Sequence, residues 1–234
     1  MKKILVFTGA GVSSESGIKT FRDYDGLWEN FSIEDVATPE AWKKNPALVL
    51  KFYNDRRAQL KEVQPNKAHQ LIADLEKFFE VTVVTQNVDD LHERAGSTKI
   101  IHLHGELNKV RSEEYDDEIY TWEDDLNLGD TGKSGTQLRP HIVWFREYLN
   151  PLLLEEARQA AVEADCCLVV GTSLQVYPAN EIPNLTKPSC PLYVIDPNAS
   201  SLKSYLSKNI FAIDTPATKG MEEVWERLVI NSAF

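Results

Sequence analysis

The residues best suited to chemistry in this 234-residue chain lie in a few short stretches, and "IHLHGELN" at 101–108 is the most pointed. His102 and His104 stand two apart, after a β-branched pair and before a glycine. On a strand they would point to one face, as a metal-binding pair would. A metal needs at least three protein ligands; acids are near, but no cysteine falls between residues 102 and 165. An acid–base role needs one histidine at a strand end, with an ordinary pKa of about 6.5. A histidine satisfied by its neighbours needs no chemistry at all. On the residues alone all three readings stay open.

Three further stretches carry polar side chains where a strand should end. In "TGAGVSSESGIKTFRD", Gly9 and Gly11 remove side chains where backbone would approach a pyrophosphate, and a helix N-terminus with exposed N–H groups is expected next. The spacing is not the strict dinucleotide fingerprint. Arg22, just beyond, is placed to reach a phosphate or ribose. In "VVTQNVDDLHERAG", Gln86, Asn87 and Asp89 offer amides for a carboxamide or ribose and a carboxylate for an amide NH₂. Helix capping by Asn87 or Asp89 is the plainer alternative, and His92 reads as structural. In "VVGTSLQVYP", Thr172 and Ser173 follow Gly171, and "VIDPN" ends in Asp196, which suits a ribose diol or a turn.

The elements that must position these groups read as a doubly wound α/β, Rossmann-like sheet: "KILVFT", "VTVVTQN", "KIIHLHG", "CCLVVGTS" and "LYVIDPN" are short β-branched runs alternating with helical patterns. Ligands of such a sheet sit at the carboxyl ends of its strands. Residues 26–69 read as an inserted helical module, with Asn45 and Pro46 as start signals for a long helix. Residues 108–138, with nine acids against one arginine in "RSEEYDDEIYTWEDDLNLGD", read as an exposed, solvated acidic flap. The Rossmann-like part is then 1–25, 70–107 and 139–234 of a single domain.

Composition bounds the function. The chain is 42% hydrophobic and 26% charged, ordinary for a soluble enzyme. A net charge of −11 argues against nucleic acid and anionic membrane as partners. No apolar run reaches the ~18 residues of a membrane helix, and the N-terminal run is too short for a signal peptide. The adjacent Cys166 and Cys167 face opposite ways on a strand, so free buried thiols in a reducing cytoplasm are expected, with Cys190 likewise.

Taken together, "GAGVSSESGIKTFRD", "TQNVDDLHERAG", "HLHGEL", "LRPHIVWF" and "GTSLQVYP" resemble the sirtuins, the Sir2-like NAD-dependent protein deacylases, in the family's order and over essentially the whole chain. The similarity is strongest to bacterial deacylases of the CobB class. The resemblance implies NAD as co-substrate and acyl-lysine proteins as partners, in a cytoplasmic monomer. It makes His104 the catalytic base and leaves His102 without chemistry. It assigns Gly9, Ala10, Gly11, Ser16, Phe21, Arg22 and Trp28 to wrapping NAD, and Gln86, Asn87 and Asp89 to its nicotinamide ribose. Gly171, Thr172, Ser173, Asp196 and Ala217 would hold the adenosine side, and Phe145 and Val176 the substrate. The acyl oxygen would attack C1′ of the ribose, expelling nicotinamide, and His104 would then deprotonate a ribose hydroxyl.

The same resemblance gives "KFYNDRRAQL" a role. Family members that remove succinyl or malonyl groups carry a tyrosine and an arginine three residues apart, the spacing of Tyr53 and Arg56, which places them on one helix face. A phenol and a guanidinium fork together suit the distal carboxylate of a diacid acyl group. Arg57 reads as an ordinary surface arginine. The chain departs from the family in three places. It lacks the four zinc cysteines, so no zinc is expected and a metal-free hairpin takes their place. Arg146 replaces a usual glycine beside the peptide groove, where it would narrow the groove or favour acidic substrates. Asp196 replaces a frequent asparagine. A protein ADP-ribosyltransferase, an NAD hydrolase, an idle NAD-sensing module and a metalloenzyme remain the competing expectations.

Overall fold

A computed structural model describes residues 1–18, 27–28 (backbone only) and 31–231. Phe21, Arg22 and the side chain of Trp28, all expected at the NAD site, lie outside the described residues. In chain order the strands are β1 (Lys3–Thr8), β2 (Leu27–Trp28), β3 (Phe31–Ser32), β4 (Glu80–Thr85), β5 (Ile100–His102), β6 (Gly105–Ser112), β7 (Ile119–Thr121), β8 (Leu138–Ile142), β9 (Cys166–Val170), β10 (Leu192–Ile195) and β11 (Phe211–Ile213). The α-helices are α1 (Gly11–Ser14), α2 (Ile33–Val36), α3 (Pro39–Lys44), α4 (Pro46–Glu62), α5 (Lys67–Leu75), α6 (Leu91–Ala95), α7 (Pro151–Glu163) and α8 (Ala217–Trp225).

Six strands form an all-parallel sheet in the order β11-β10-β9-β1-β4-β5. From β1 the chain winds outward through β4 to β5, returns to the other side of β1, and winds outward again through β9 and β10 to β11. This is the Rossmann order, and the carboxyl ends of β1 and β9 flank its switch point. The alternation of strand side chains divides the core. Ile4, Val6 and Cys166 face one cluster with Leu71, Ile72, Met221 and Val224 of α5 and α8. Leu5, Phe7 and Cys167 face the other, with Ala157 and Ala161 of α7. Both faces are covered, which is why these runs are apolar at consecutive positions. The three cysteines are free and buried. The expected strands appear at "KILVFT", "VTVVT", "IIH", "CCLVV" and "LYVI"; the edge strand β11 is short and carried no sequence signal.

Helix α4 starts where Asn45 and Pro46 place it: the Asn45 side chain accepts from the Leu48 N–H, and Pro46 occupies the first turn. Its buried face, with Phe52, Tyr53 and Leu60, packs on Leu107, Val110, Leu138 and Trp144. The first three of those partners belong to a second sheet, antiparallel and three-stranded in the order β7-β6-β8, and Trp144 follows its last strand. This sheet begins at Gly105 and ends at Ile142, wider at both ends than the 108–138 segment expected as a flap.

Two expectations about charge are corrected here. Arg57 is 3% exposed, not a surface residue; its guanidinium donates to the carbonyls of Leu107 and Asp124 and to Asn54, tying α4 to the small sheet. Nor are all the flap's acids simply solvated. The Glu118 carboxylate accepts from Ser134 Oγ (2.6 Å), Ser134 N (3.1 Å) and Tyr120 OH (2.5 Å), joining β7 to the turn before β8. These donors hold its pKa down to about 2. Glu113 accepts from the Trp42 indole at 3.1 Å.

Candidate active site

The site is assembled at the switch point. Gly9 and Gly11 close the carboxyl end of β1 against Gly171, which follows β9: Gly9 N donates to Val170 O (3.1 Å) and Gly11 N to Gly171 O (2.8 Å). A Cβ on Gly11 would lie 2.7 Å from Gly171 Cα, and one on Gly171, at φ +62, would lie 2.3 Å from Val12 N. These glycines therefore let two loops touch, a packing role beside any approach to a phosphate. The helix expected after them is a single turn, and its N–H groups are used: Val12 N donates to Gly9 O and Ser13 N to Ala10 O. Ala10 and Ser16 are half-buried on this turn.

Gln86, Asn87 and Asp89 leave β4 directly beside it. Gln86 Nε2 donates to Thr172 Oγ1 at 2.9 Å, joining the β4 and β9 ends. Asn87 Nδ2 donates to Ser13 Oγ (3.1 Å), and Ser13 Oγ donates to Asp89 Oδ2 (3.0 Å). Asp89 Oδ1 also accepts from Leu91 N at 3.2 Å, so the helix-capping alternative is part of its work. Asp89 is 6% exposed. Burial drives its carboxyl up to about 6, against the pull of Leu91, Ser13 and His102. Behind this set, His69 Nδ1 accepts from Asn66 N, which puts the ring proton on Nε2 facing Ser13 Oγ at 3.4 Å. His92 is buried against Thr8 Oγ1 at 3.1 Å, structural as expected. On the far side Ser173 is half-buried and Ala217 is buried at the start of α8. Asp196 Oδ1 accepts from Asn198 N at 2.9 Å, the turn its Asp-Pro-Asn sequence allows.

The two histidines separate by their hydrogen bonds. Strand β5 ends at His102, so His104 lies in the turn beyond it. The His104 Nδ1 faces the Gln86 carbonyl at 2.9 Å; a carbonyl only accepts, so Nδ1 carries the proton and Nε2 presents a lone pair. Burial lowers the His104 pKa, with the Gln86 carbonyl opposing. It is a neutral imidazole near pH 7, suited to taking a proton. Both nitrogens of His102 face acceptors, Asn87 O at 3.2 Å and Glu93 Oε1 at 2.6 Å. Burial opposes its charge, but Glu93 prevails and the His102 pKa is raised. One histidine is a neutral ring with a lone pair at Nε2; its neighbour is bonded to the Glu93 carboxylate. Glu93, His102 and Glu106 are also the one group among the described residues whose donor atoms lie close enough for a metal ion, within 4.8 Å of one another. The His102–His104 pair is not brought together as ligands.

The small sheet brings α4 to this turn. Val143 N donates to His104 O at 2.9 Å, and the next residue's indole, Trp144 Nε1, donates to Tyr53 OH at 3.0 Å. Tyr53 is fully buried, and burial holds its phenol well above the usual tyrosine range. Arg56, one turn on, is half-buried with its guanidinium 5.4 Å from the Phe52 ring centroid. Phe145 and Val176 are exposed, and Phe145 N donates to Ala37 O at 3.0 Å. Arg146 adopts φ +74, a conformation in which glycine is easier. Its guanidinium is held by Glu34 (2.8 Å) and Glu40 (3.1 Å), so the protein itself supplies acidic partners for it.

The Sir2 family profile matches residues 9–178, from the first glycine of the β1 turn to the end of the β9 loop. The chain belongs to the Sir2 family. It is 52% identical over 229 residues to an NAD-dependent protein deacylase of Helicobacter pylori, covering 98% of each chain. It is 47% identical to one of Bacteroides thetaiotaomicron, covering 98% of this chain and 99% of that one. Among solved structures, a Sir2 homolog–NAD complex superposes with a TM-score of 0.87 at 39% identity, over 100% of this chain and 91% of that one. A Sir2–p53 peptide–NAD⁺ complex superposes at 0.80, with 30% identity, over 97% and 93%.

In this Sir2 chain the polar groups at the switch point fit a dinucleotide. Asn87, Ser13 and Asp89 offer amide, hydroxyl and carboxylate within one hydrogen-bonded set, and Gln86, bonded to Thr172 Oγ1, adds a second amide beside it, together suited to a ribose diol and a carboxamide. Residues missed in the sequence sit beside this set. Ser13 is at its centre, yet "VSSES" holds three serines and no spacing selects one. Glu15 takes the start of α8, accepting from Thr218 N (2.9 Å) and Oγ1 (2.7 Å) across 203 residues of sequence. Trp144 was visible only as an aromatic in "IVWF".

Proposed function

We propose that the chain is an NAD-dependent protein-lysine deacylase that favours acyl groups ending in a carboxylate, succinyl and malonyl above all, while retaining deacetylation. The deacylase part rests on full-length identity of about half to relatives of that name. The acyl preference rests on Tyr53 and Arg56, a phenol and a guanidinium one turn apart on α4, connected through Trp144 and Val143 to the turn that carries His104. A guanidinium fork matches a carboxylate in shape and charge, and a protonated phenol adds a neutral donor.

NAD, bound at the switch point, supplies the electrophilic ribose carbon to which the acyl oxygen is transferred. The residues act around it. Gln86, Asn87 and Asp89 hold the ribose and carboxamide, with Ser13 fixing the last two. Gly171, Thr172 and Ser173 line the adenosine side, with Asp196 and Ala217. His104 Nε2 takes the proton of a ribose hydroxyl, and its Nδ1–H bond to Gln86 O keeps that lone pair turned to the site and steadies the ring when it becomes charged. Phe145 and Val176 flank the acyl-lysine.

The test compares kcat/KM for matched succinyl-lysine and acetyl-lysine peptides with NAD, in the wild type and in Arg56→Met. A succinyl preference lost by ~10- to 100-fold in Arg56→Met supports the pocket, as expected for one charge-assisted contact. An acetyl preference indifferent to Arg56→Met overturns the acyl preference and leaves the deacylase. Nicotinamide release without peptide deacylation would favour an ADP-ribosylating or NAD-hydrolysing activity.

A further inference from the structure

Three side chains that the deacylase reading does not use converge beside the turn that carries His104. Glu93 comes from α6, His102 ends β5, and Glu106 is the second residue of β6. One donor atom from each lies within 4.8 Å of the others. His102 is buried, and its Nδ1 donates to the Asn87 carbonyl at 3.2 Å. That bond turns Nε2 to the carboxylates, 2.6 Å from Glu93 Oε1. A ring nitrogen that donates to a backbone carbonyl fixes a histidine in the orientation from which the other nitrogen ligates a metal. The place of a cation is taken by two smaller charges: a proton between Nε2 and Glu93, and the Lys109 ammonium, 2.7 Å from Glu106 Oε2. Both can leave, the lysine by rotation into solvent. A second imidazole stands at the edge. Ile142 pairs with Gly105, which sets His141 opposite Glu106, and the buried His141 Nδ1 has no hydrogen-bond partner among the described residues.

We infer that Glu93, His102 and Glu106 form a binding site for one Zn²⁺ ion, separate from the four-cysteine zinc that the chain lacks. One imidazole and two carboxylates match the donors of zinc, which lie about 2.0–2.2 Å from the metal. Mg²⁺ and Ca²⁺ take oxygen ligands instead, so the buried imidazole selects against them. The ion replaces the proton at His102 Nε2 and the ammonium at Glu106, its two charges balance the two carboxylates, and a fourth position is left for water or His141. Its work is mechanical. His102 and Glu106 bracket the turn 103–105, so the ion closes that turn and ties it, with His104, to α6 through Glu93. None of the three ligands is assigned to NAD or acyl-lysine, so the site stands or falls apart from the deacylase reading.

The experiment titrates Zn²⁺, and separately Mg²⁺, into the chelator-treated full chain by isothermal calorimetry, and records the visible spectrum with Co²⁺ in place of Zn²⁺. Wild type, Glu93→Gln, Glu106→Gln and His102→Asn are compared, with circular dichroism reporting the fold. The expected result is one Zn²⁺ per chain, weaker Mg²⁺ binding, and a Zn²⁺ affinity lower by about tenfold or more in each variant. The Co²⁺ spectrum should change in the same variants. Zn²⁺ at a hundredfold excess over its Kd should raise the wild-type melting temperature by about 5–10 °C. The two glutamine variants carry the test if His102→Asn does not fold. Absence of saturable one-to-one Zn²⁺ binding overturns the site. Binding undiminished in Glu93→Gln and Glu106→Gln puts the ion elsewhere and overturns it too, and equal affinities for Zn²⁺ and Mg²⁺ mark an acidic surface in which the imidazole takes no part.

Discussion

Asp89→Asn measures how much stability the fold gives up to keep a charge at its site. Asp89 is 6% exposed. Its carboxyl stands at about 6 in the folded chain against an ordinary 3.8, and burial is the largest cause. A raised carboxyl pKa means that the folded state holds the proton more tightly. The contribution to stability is intact below about pH 4 and is lost as pH rises toward 6. At about 1.4 kcal/mol for each pH unit, the ionised carboxylate costs roughly 3 kcal/mol at pH ~8. Asparagine keeps the size and abolishes the titration. Urea unfolding of both proteins from pH ~4.5 to ~8 gives the difference in stability, in which the other carboxylates cancel. That difference should move in favour of the variant by about 2 kcal/mol across the range, since part of the cost is already present at the acid end. NAD binding should weaken in the same variant, separating stability from function. A pH-independent difference, or one moving toward the wild type, would refute the argument that burial dominates at Asp89.

Gly171→Ala forces a Cβ to within 2.3 Å of Val12 N at a positive φ. It should cost at least ~1–3 kcal/mol in unfolding free energy and weaken NAD binding by calorimetry, because the β1 and β9 loops must part. Glu118→Gln should lower the melting temperature near neutral pH. The gap to the wild type should close as acid carries the pH from about 4.5 toward 2, because a lowered carboxylate pKa stabilises the fold only while the group is ionised. For His104, burial lowers the pKa, so the acid limb of kcat/KM should fall below the ordinary histidine value of about 6.5. A limb above 7 would contradict a buried neutral base.

The parallel sheet was legible because its strands are buried on both faces, so "KILVFT" and "CCLVV" are apolar at nearly every position and need no partner to be recognised. The polar ends of the strands were legible for the same topological reason: Gln86, Asn87 and Thr172 fall where apolar runs stop. The small sheet was not. Strand β7 is only three residues long, and β6 pairs with β8 across 26 (Ser112 to Leu138) to 37 (Gly105 to Ile142) residues, through an acidic stretch whose composition reads as solvated loop. Arg57 illustrates the limit further, since two of the three acceptors that make its burial tolerable are the backbone carbonyls of Leu107 and Asp124, beside the Asn54 side chain, and backbone acceptors leave no mark in sequence. His102 and His104 could not be told apart from their types and spacing. Their states follow from which carbonyl or carboxylate each nitrogen meets, a fact of tertiary structure. Ser13 was lost among like neighbours for the same reason.

The most direct test of the whole account is a product balance. The protein is incubated with NAD and a succinyl-lysine peptide, and nicotinamide, free-lysine peptide and succinyl-ADP-ribose are quantified together by mass spectrometry. The account predicts equal amounts of all three, and loss of the succinyl-ADP-ribose in His104→Ala. Free-lysine peptide appearing without NAD consumption, or nicotinamide appearing with no succinyl-ADP-ribose, would contradict it.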